Sequence, residues 1–280
     1  MSIDGKTELY GIIGNPVRHS LSPAMHNAGF ATLGMNWVYV PMEVQDIEQG
    51  MAGLRALGFR GVSVTVPHKE AVIPLLDEID PVAEKIGAVN TLVFHREKDG
   101  RVILRGLNTD WLGANTALAE KINLQQSRVL VIGAGGSAKA VGFGLVEAGA
   151  EVMIANRTAA SGQALADWLG CVFVPLDQVA SVAADVLINT TSVGMEPDNE
   201  GIVVPPSLLP GFSVVMDIVY APLETRLLRE ARSAGCQTID GLAMLLYQGA
   251  AQFKIWTGGR PPQLIMRSAL EEELRRRAVA

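Results

Sequence analysis

Residues 128–149, RVLVIGAGGSAKAVGFGLVEAG, place a glycine turn between a β-branched apolar run and an alanine-rich helical one. Few folds use that order. Gly133 lets the chain turn tightly out of the strand, Gly135 and Gly136 let backbone N–H groups approach a pyrophosphate, and Ser137 opens a helix whose positive end faces that charge. The spacing departs slightly from GxGxxG, so Ala138 or Ala140 has to supply the small residue at which helix and strand pack closely. A glycine pair alone is weak, because a structural turn explains many such loops.

The next strand strengthens the case. About 20 residues after the first glycine, a chain that binds a dinucleotide ordinarily carries an acid for the ribose hydroxyls, and here the second strand ends in Asn156, Arg157 and Thr158. A guanidinium there forks onto a 2′-phosphate, so the cofactor expected is NADP. The plainer reading of Arg157 is a solvated surface arginine. Another strand of the same sheet ends in NTTSVGM, where Thr190, Thr191 and Val193 are expected to line the nicotinamide side.

With 280 residues, 49% of them hydrophobic and 19% charged, the chain can bury the core of two ordinary domains and has no disordered composition. Its net charge of −6 argues against a nucleic-acid or anionic-membrane surface. The run Arg275, Arg276, Arg277 closes a segment with acids early and bases late, and reads as a solvated terminal helix. Cys171 and Cys236 show no metal spacing and are expected to be buried thiols, with no metal site. No signal segment or membrane-length apolar run is visible, which points to a cytoplasmic protein.

A first strand is expected at residues 9–14, then a loop that Pro16 and Pro23 keep irregular, and a helix starting near Ser22. Strand 37–44, helix 46–58 and strand 61–66 continue an alternation typical of βαβ units. Asp99 and Gly100 suggest a hairpin between residues 89–94 and 101–105. From residue 128 strands and helices alternate as in a doubly wound sheet, and two terminal helices follow Asp240. The fold expected is α/β with two domains. An amino-terminal substrate domain with a mostly parallel sheet occupies 1–110, a Rossmann-type dinucleotide-binding domain 111–240, and helices in 241–280 pack back on the first domain.

Several polar residues sit at strand ends of the first half. Lys69 follows Pro67 at a helix start, where the dipole does not favour a lysine, so a partner is expected. Asp110, otherwise a helix N-cap, can pair with it to move a proton to or from a reacting oxygen. Asn90 offers donor and acceptor for a polyol, and Ser20 and Ser22 offer hydroxyls, although a turn residue and helix caps explain them equally. Arg18 and His19 could add charge nearby. His68 is expected to point away from Lys69 along an extended segment.

Taken in order, SLSP, SVTVPHK, AVNT, NTD, GAGGSAKA, NRT, NTTSVGM, DIVYAPLET and DGLAMLLYQGA closely resemble the shikimate dehydrogenase family over nearly the whole chain. The resemblance implies NADP-dependent, reversible reduction of 3-dehydroshikimate to shikimate in aromatic amino-acid biosynthesis, in a cleft between two domains. It implies Lys69 and Asp110 as catalytic pair, and Ser20, Ser22, Thr65, Asn90 and Gln248 as holders of the substrate carboxylate and hydroxyls. Tyr220 would border substrate and nicotinamide, while Ala134, Ile218, Gly241 and Met244 would join the residues above on the cofactor.

Three positions depart from the family pattern. Ser63 stands where many members have asparagine, the stretch AASGQ after NRT lacks a second basic residue, and Ala243 replaces a frequent glycine. These leave open a quinate/shikimate dehydrogenase with relaxed choice between NAD and NADP. A metabolite-sensing relative without chemistry is the other alternative, against which both Lys69 and Asp110 stand. The partner expected is the small substrate; a homodimer stays open, since no residue pattern sets the assembly.

Overall fold

The computed structural model describes residues 3–279, so residues 1, 2 and 280, the extreme ends of the expected first and last segments, lie outside the described residues. In chain order the first elements are β1 (Glu8–Gly14), α1 (Ser22–Thr32), β2 (Trp37–Glu43), α2 (Ile47–Ala56), β3 (Gly61–Val64) and the one-turn α3 (His68–Ala71). There follow β4 (Glu78–Ile79), α4 (Pro81–Ile86), β5 (Thr91–Arg96) and β6 (Val102–Leu107). Next come α5 (Asp110–Ala119), β7 (Arg128–Ile132), α6 (Gly136–Glu147), β8 (Glu151–Asn156), α7 (Ala159–Leu169), β9 (Val172–Pro175), β10 (Val186–Asn189) and β11 (Val214–Asp217). The chain ends with α8 (Arg226–Ser233), β12 (Gln237–Ile239), α9 (Gly241–Thr257) and α10 (Gln263–Val279).

Two compact units result. One comprises Met1–Thr109 with Gln248–Ala280, the other Asp110–Tyr247. Helix α9 therefore passes from the second unit to the first within its own length.

The first unit's sheet has the order β2-β1-β3-β5-β6-β4. Its β2, β1 and β3 run parallel, β5 is antiparallel to both β3 and β6, and β4 pairs parallel with β6. The expected hairpin is present, with Gly100 at φ +90° in the turn. Two short elements here, β4 and α4, were not expected from the residues. Asp80 caps α4 by accepting from Val82 N at 3.0 Å, and Pro81 suits the first helical position.

From Gln248 onward the terminal helices belong to this unit, while residues 241–247, expected with them, belong to the other. Phe253 of α9 is fully buried and stacks on Phe30 of α1, ring centroids 5.3 Å apart. That contact requires Gly29, where a Cβ would stand 2.7 Å from the Phe253 ring. Met266 and Leu270 bury one face of α10, each fully buried apolar side chain contributing roughly 1.5–3 kcal/mol.

The second unit's sheet, β12-β11-β10-β7-β8-β9, is wholly parallel. Chain order reverses between β7 and β10, the switch point at whose carboxyl edge ligands bind in such sheets. Residues 129–132 read as an unbroken apolar run because both faces are covered. Val129 and Val131 pack with Ala117 and Leu118 of α5 and Val141 and Leu145 of α6. Leu130 and Ile132 face the opposite way, toward Leu227, Leu228 and Ala231 of α8. Helix α8 and β12 were not anticipated.

Helices α5 and α6 approach closely at Gly144, where a Cβ would lie 2.9 Å from Asn115 Oδ1, and Asn115 Nδ2 donates to the Gly144 carbonyl at 2.7 Å. Among the two thiols only Cys236 is buried. Cys171 is half-buried at the start of the edge strand, contrary to expectation, although burial still pushes its thiol up to about 11. No helix of the described residues is long and apolar enough to cross a membrane.

Candidate active site

In the first unit one side chain gathers several of the expected residues. Asn90 precedes β5, and its buried Oδ1 accepts from Thr109 N at 2.8 Å and from Thr91 Oγ1 at 2.6 Å. Its Nδ2 donates to Thr109 Oγ1 at 3.0 Å and to Gln248 Oε1 at 3.3 Å. One residue earlier, Val89 N donates to the carbonyl of Lys69 at 2.8 Å. Val89 and Asn90 together thus tie the backbone of Lys69, the residue before Asp110 and Gln248 to one strand end.

Gln248 brings a partner that sequence reading missed. Four residues along α9, Gln252 lies on the same face, and its Nε2 donates to Asn90 O at 3.1 Å and Thr91 Oγ1 at 3.0 Å. Its Oε1 accepts from Ser63 Oγ at 2.9 Å, and Ser63 Oγ in turn accepts from Tyr39 OH at 2.7 Å. The single Ser63 proton is therefore spent on Gln252, and the residue builds the floor of the cluster. The QxxxQ spacing in YQGAAQ was the signal available.

Tyr39 was also missed. Its phenol is pushed up by burial, opposed by hydrogen bonds with Ser63 and Ser22, so its hydroxyl stands between the floor and one of the expected substrate residues. The ring stacks on His26 of α1, centroids 4.5 Å apart, and burial pushes His26 down to about 3, leaving it neutral. Asn27 fixes the Tyr39 backbone by accepting from its N–H and donating to its carbonyl, each at 2.8 Å.

Ser22 is buried as the first residue of α1, and its N–H donates to Ser20 Oγ at 3.2 Å. The Ser20 hydroxyl proton is left to point elsewhere. Thr65 is half-buried beyond β3, packed so tightly that a Cβ on Gly14 would stand 2.4 Å from its methyl group. Lys69 is half-buried in α3. Beside it His68 is not on an extended segment: α3 turns it inward, where Nε2 lies 2.7 Å from Val44 O. Arg18 is exposed and pairs with Glu43 at 3.4 Å, and His19 is exposed.

Asp110 is the buried first residue of α5 rather than the residue capping it. With it begins the second unit, whose remaining candidates stand at the carboxyl ends of β7, β8, β10 and β11. Gly133 has φ +124°, and a Cβ there would lie 2.4 Å from Thr190 Oγ1. Only glycine accommodates both the conformation and the contact. Helix α6 starts at Gly136 with Gly135 as N-cap, one residue earlier than Ser137. Nothing lies within 4 Å of where a Cβ of Gly135 or Gly136 would be, so both glycines border open space at a helix start, the kind of place where a phosphate binds.

Ala134 is half-buried, whereas the Ala138 side chain is fully buried in the core and can meet a ligand only through its backbone. At the end of β8 Asn156 Nδ2 donates to Thr158 O and Ser161 Oγ, each at 2.9 Å, shaping the start of α7. Thr158 caps α7 without a side-chain hydrogen bond. Arg157 is exposed and makes no hydrogen bond or ion pair among the described residues. An uncapped helix start beside an uncommitted guanidinium fits the 2′-phosphate of NADP.

Asn189 and Asp217 organise the other two strand ends. Asn189 Oδ1 accepts from the N–H and hydroxyl of Thr191 at 2.9 and 2.7 Å, while its Nδ2 donates to Val193 O at 3.1 Å and Asp217 Oδ1 at 2.9 Å. Asp217 also accepts from Val219 N at 3.0 Å and Thr225 Oγ1 at 2.7 Å. These donors are neutral, and burial raises the carboxyl to about 6. Thr190 donates to Ile132 O at 2.7 Å, and Val193 remains exposed.

Ile218 and Tyr220 are half-buried in the segment after β11. Gly241 passes so close to that segment that a Cβ would lie 2.5 Å from the carbonyls of Ile218 and Val219. Met244 is buried with the partly buried Ala243 in the second unit's core. No three His, Cys, Asp or Glu side chains among the described residues cluster as a metal would need.

The chain is similar to known proteins over nearly all of its length. The family described as "Shikimate dehydrogenase substrate binding domain" matches residues 12–92, "Shikimate / quinate 5-dehydrogenase" matches 116–196, and "Shikimate 5'-dehydrogenase C-terminal domain" matches 241–271. A shikimate dehydrogenase (NADP(+)) of Moorella thermoacetica is 45% identical over 98% of this chain and 96% of its own length. A crystal structure of a shikimate dehydrogenase in complex with NADP+ superposes with a TM-score of 0.91 at 41% identity, covering 98% of each chain. The Thermus thermophilus shikimate 5-dehydrogenase in complex with NADP(H) and shikimate gives 0.86 at 41% identity, over 95% of this chain and 99% of that one.

Proposed function

The chain belongs to the shikimate dehydrogenase family, and from that premise we infer how its residues carry out the reversible, NADP-dependent interconversion of 3-dehydroshikimate and shikimate. This is a step of aromatic amino-acid biosynthesis. The observation that carries the assignment of roles is the junction at Val89 and Asn90, which ties the Lys69 backbone, Thr109 beside Asp110, and Gln248 to one strand end.

When bound at Gly133–Ala138, Asn156–Thr158, Thr190, Thr191, Val193, Ile218, Gly241 and Met244, NADPH supplies the hydride for reduction and NADP accepts it in the reverse direction. Lys69 and Asp110 are the catalytic residues of our reading. In the oxidising direction the pair takes the proton of the hydroxyl as that carbon becomes a carbonyl; in the reducing direction it returns a proton to the oxygen. Without that transfer a full negative charge would build on the oxygen.

Ser20, Ser22, Thr65, Asn90 and Gln248 hold the substrate carboxylate and ring hydroxyls in this reading, Ser20 by hydroxyl donation. Their fixed partners matter, because side chains already ordered lose little entropy on binding. Tyr220 borders substrate and nicotinamide in this reading. Arg157 selects the phosphorylated cofactor, held at the start of α7. We place the enzyme in the cytoplasm, free of nucleic acid and membrane; a homodimer is the assembly to test by sedimentation.

One observation favours a second reading. No basic residue follows Arg157 through Gln163, so NAD, and with it quinate, belongs in every test. The direct experiment is oxidation of shikimate by the purified protein with NADP, repeated with Lys69→Ala. We expect turnover to fall by roughly 10²–10⁴ while shikimate still binds. Undiminished turnover would remove Lys69 from the mechanism.

A further inference from the structure

The basic run at the end of α10 does not behave as one solvated surface. Arg275 and Arg276 are largely exposed, but Arg277 turns back from α10 to the loop before α1. Its Nη1 donates to His19 O at 2.6 Å and its Nη2 to Ser20 O at 3.1 Å. Nε of the same guanidinium donates to Glu273 Oε1 at 2.8 Å, so the fork is aimed by a carboxylate one turn earlier on the helix. Arg276 donates to both oxygens of Glu273, at 2.8 Å each, and with Arg277 holds that carboxyl down at about 2 against the effect of burial. Glu273 is thus an anion at every working pH.

The anchored segment is short and lies between the buried Val17 and Leu21. Ser20 N donates to Val17 O at 3.0 Å, and Ser20 Oγ accepts from Ser22 N at 3.2 Å at the start of α1, where Leu21 offers no side-chain cap. Two adjacent carbonyls, 257 and 258 residues away in sequence from their donor, are fixed by one planar cation. Fixing the carbonyls before and after the Ser20 Cα fixes its backbone and the direction of its Cα–Cβ bond, and so where its hydroxyl can reach.

We propose that Arg277, oriented by Glu273, is a positioning residue for substrate: from the carboxyl-terminal helix it sets the Ser20 hydroxyl for the carboxylate of the ligand. It does not touch the ligand itself. The inference rests on the functional reading above and deepens it. A positioning role predicts a loss confined to substrate affinity, because the residue contacts neither the reacting oxygen nor the cofactor residues.

The test is steady-state kinetics of wild type, Arg277→Ala, Arg277→Lys and Glu273→Gln with shikimate and NADP varied in turn, with the melting temperature of each. Arg277→Ala should raise KM for shikimate about tenfold or more, with kcat at saturation and KM for NADP each within about twofold of wild type. Arg277→Lys should recover part of the loss, since an ammonium reaches one carbonyl but cannot bridge two. Glu273→Gln should fall between wild type and Arg277→Ala.

An unchanged shikimate KM in Arg277→Ala overturns the inference. So does an equal rise in both KM values that Arg277→Lys does not relieve, which is the pattern of a general structural defect. A wild-type protein with no shikimate oxidation would instead overturn the functional reading, and no variant is needed to see it.

Discussion

Asn90 Oδ1 accepts the backbone N–H of Thr109 at 2.8 Å, with both residues buried. The bond fixes the strand end before Asp110. Replacing Asn90 by Leu keeps the bulk but leaves the Thr109 N–H without its acceptor inside the protein. We expect a loss of about 1–3 kcal/mol in urea unfolding together with a rise in KM for shikimate. Stability equal to wild type would show that water replaces the side chain there.

Asp217 makes the fold sensitive to pH in a direction opposite to most carboxylates. Burial raises its carboxyl from 3.8 to about 6, so the fold favours the protonated form. Its contribution is full below about pH 4 and is lost as pH rises through about 6, a change on the order of 2–3 kcal/mol. Asp217→Asn cannot titrate. The stability of wild type minus that of the variant, from denaturant curves between pH 4 and 7, should therefore fall as pH rises; a difference independent of pH would mean that Asp217 titrates alike in the folded and unfolded chain.

Arg157 should act on one cofactor only. Because its guanidinium has no partner among the described residues, Arg157→Ala removes nothing from the fold. We expect KM for NADP to rise about tenfold to a hundredfold, the worth of a charge-assisted contact, with KM for NAD nearly unchanged. Equal weakening of both would move the phosphate contact elsewhere.

How much of this could be read along the chain depends on how local each signal is. The glycine turn at 133–136, Arg157 and the strand ends of the second unit were legible because strand, turn and helix start lie together in sequence. β4 spans two residues and α4 only six, too short for any periodicity to register. α8 was a different matter: RLLREARS carries leucines on one face and charge on the other, and its amphipathic pattern was available but unread. His68 was placed on an extended segment because α3 is a single turn that brings its side chain to Val44.

The site shows the same division. Ser20, Lys69 and Asn90 stand out by residue type and by lying outside the strands. Tyr39, Ser63 and Gln252 do not, since their hydrogen bonds join positions separated by 24 and 189 residues. Ser63 drew notice as a departure in substrate contact, yet its hydroxyl is shared between Tyr39 and Gln252. Arg277 was hidden for the same reason. A basic residue in a helix's last turn has a local explanation in the helix dipole, and only the fold shows the loop it reaches.

Substrate and cofactor choice are decided together by a four-way comparison of kcat/KM, shikimate and quinate each with NADP and NAD. We expect the highest value for shikimate with NADP, falling with NAD because Arg157 loses its phosphate and falling with quinate. A highest value for quinate with NAD would refute both the substrate and the cofactor assigned to this chain.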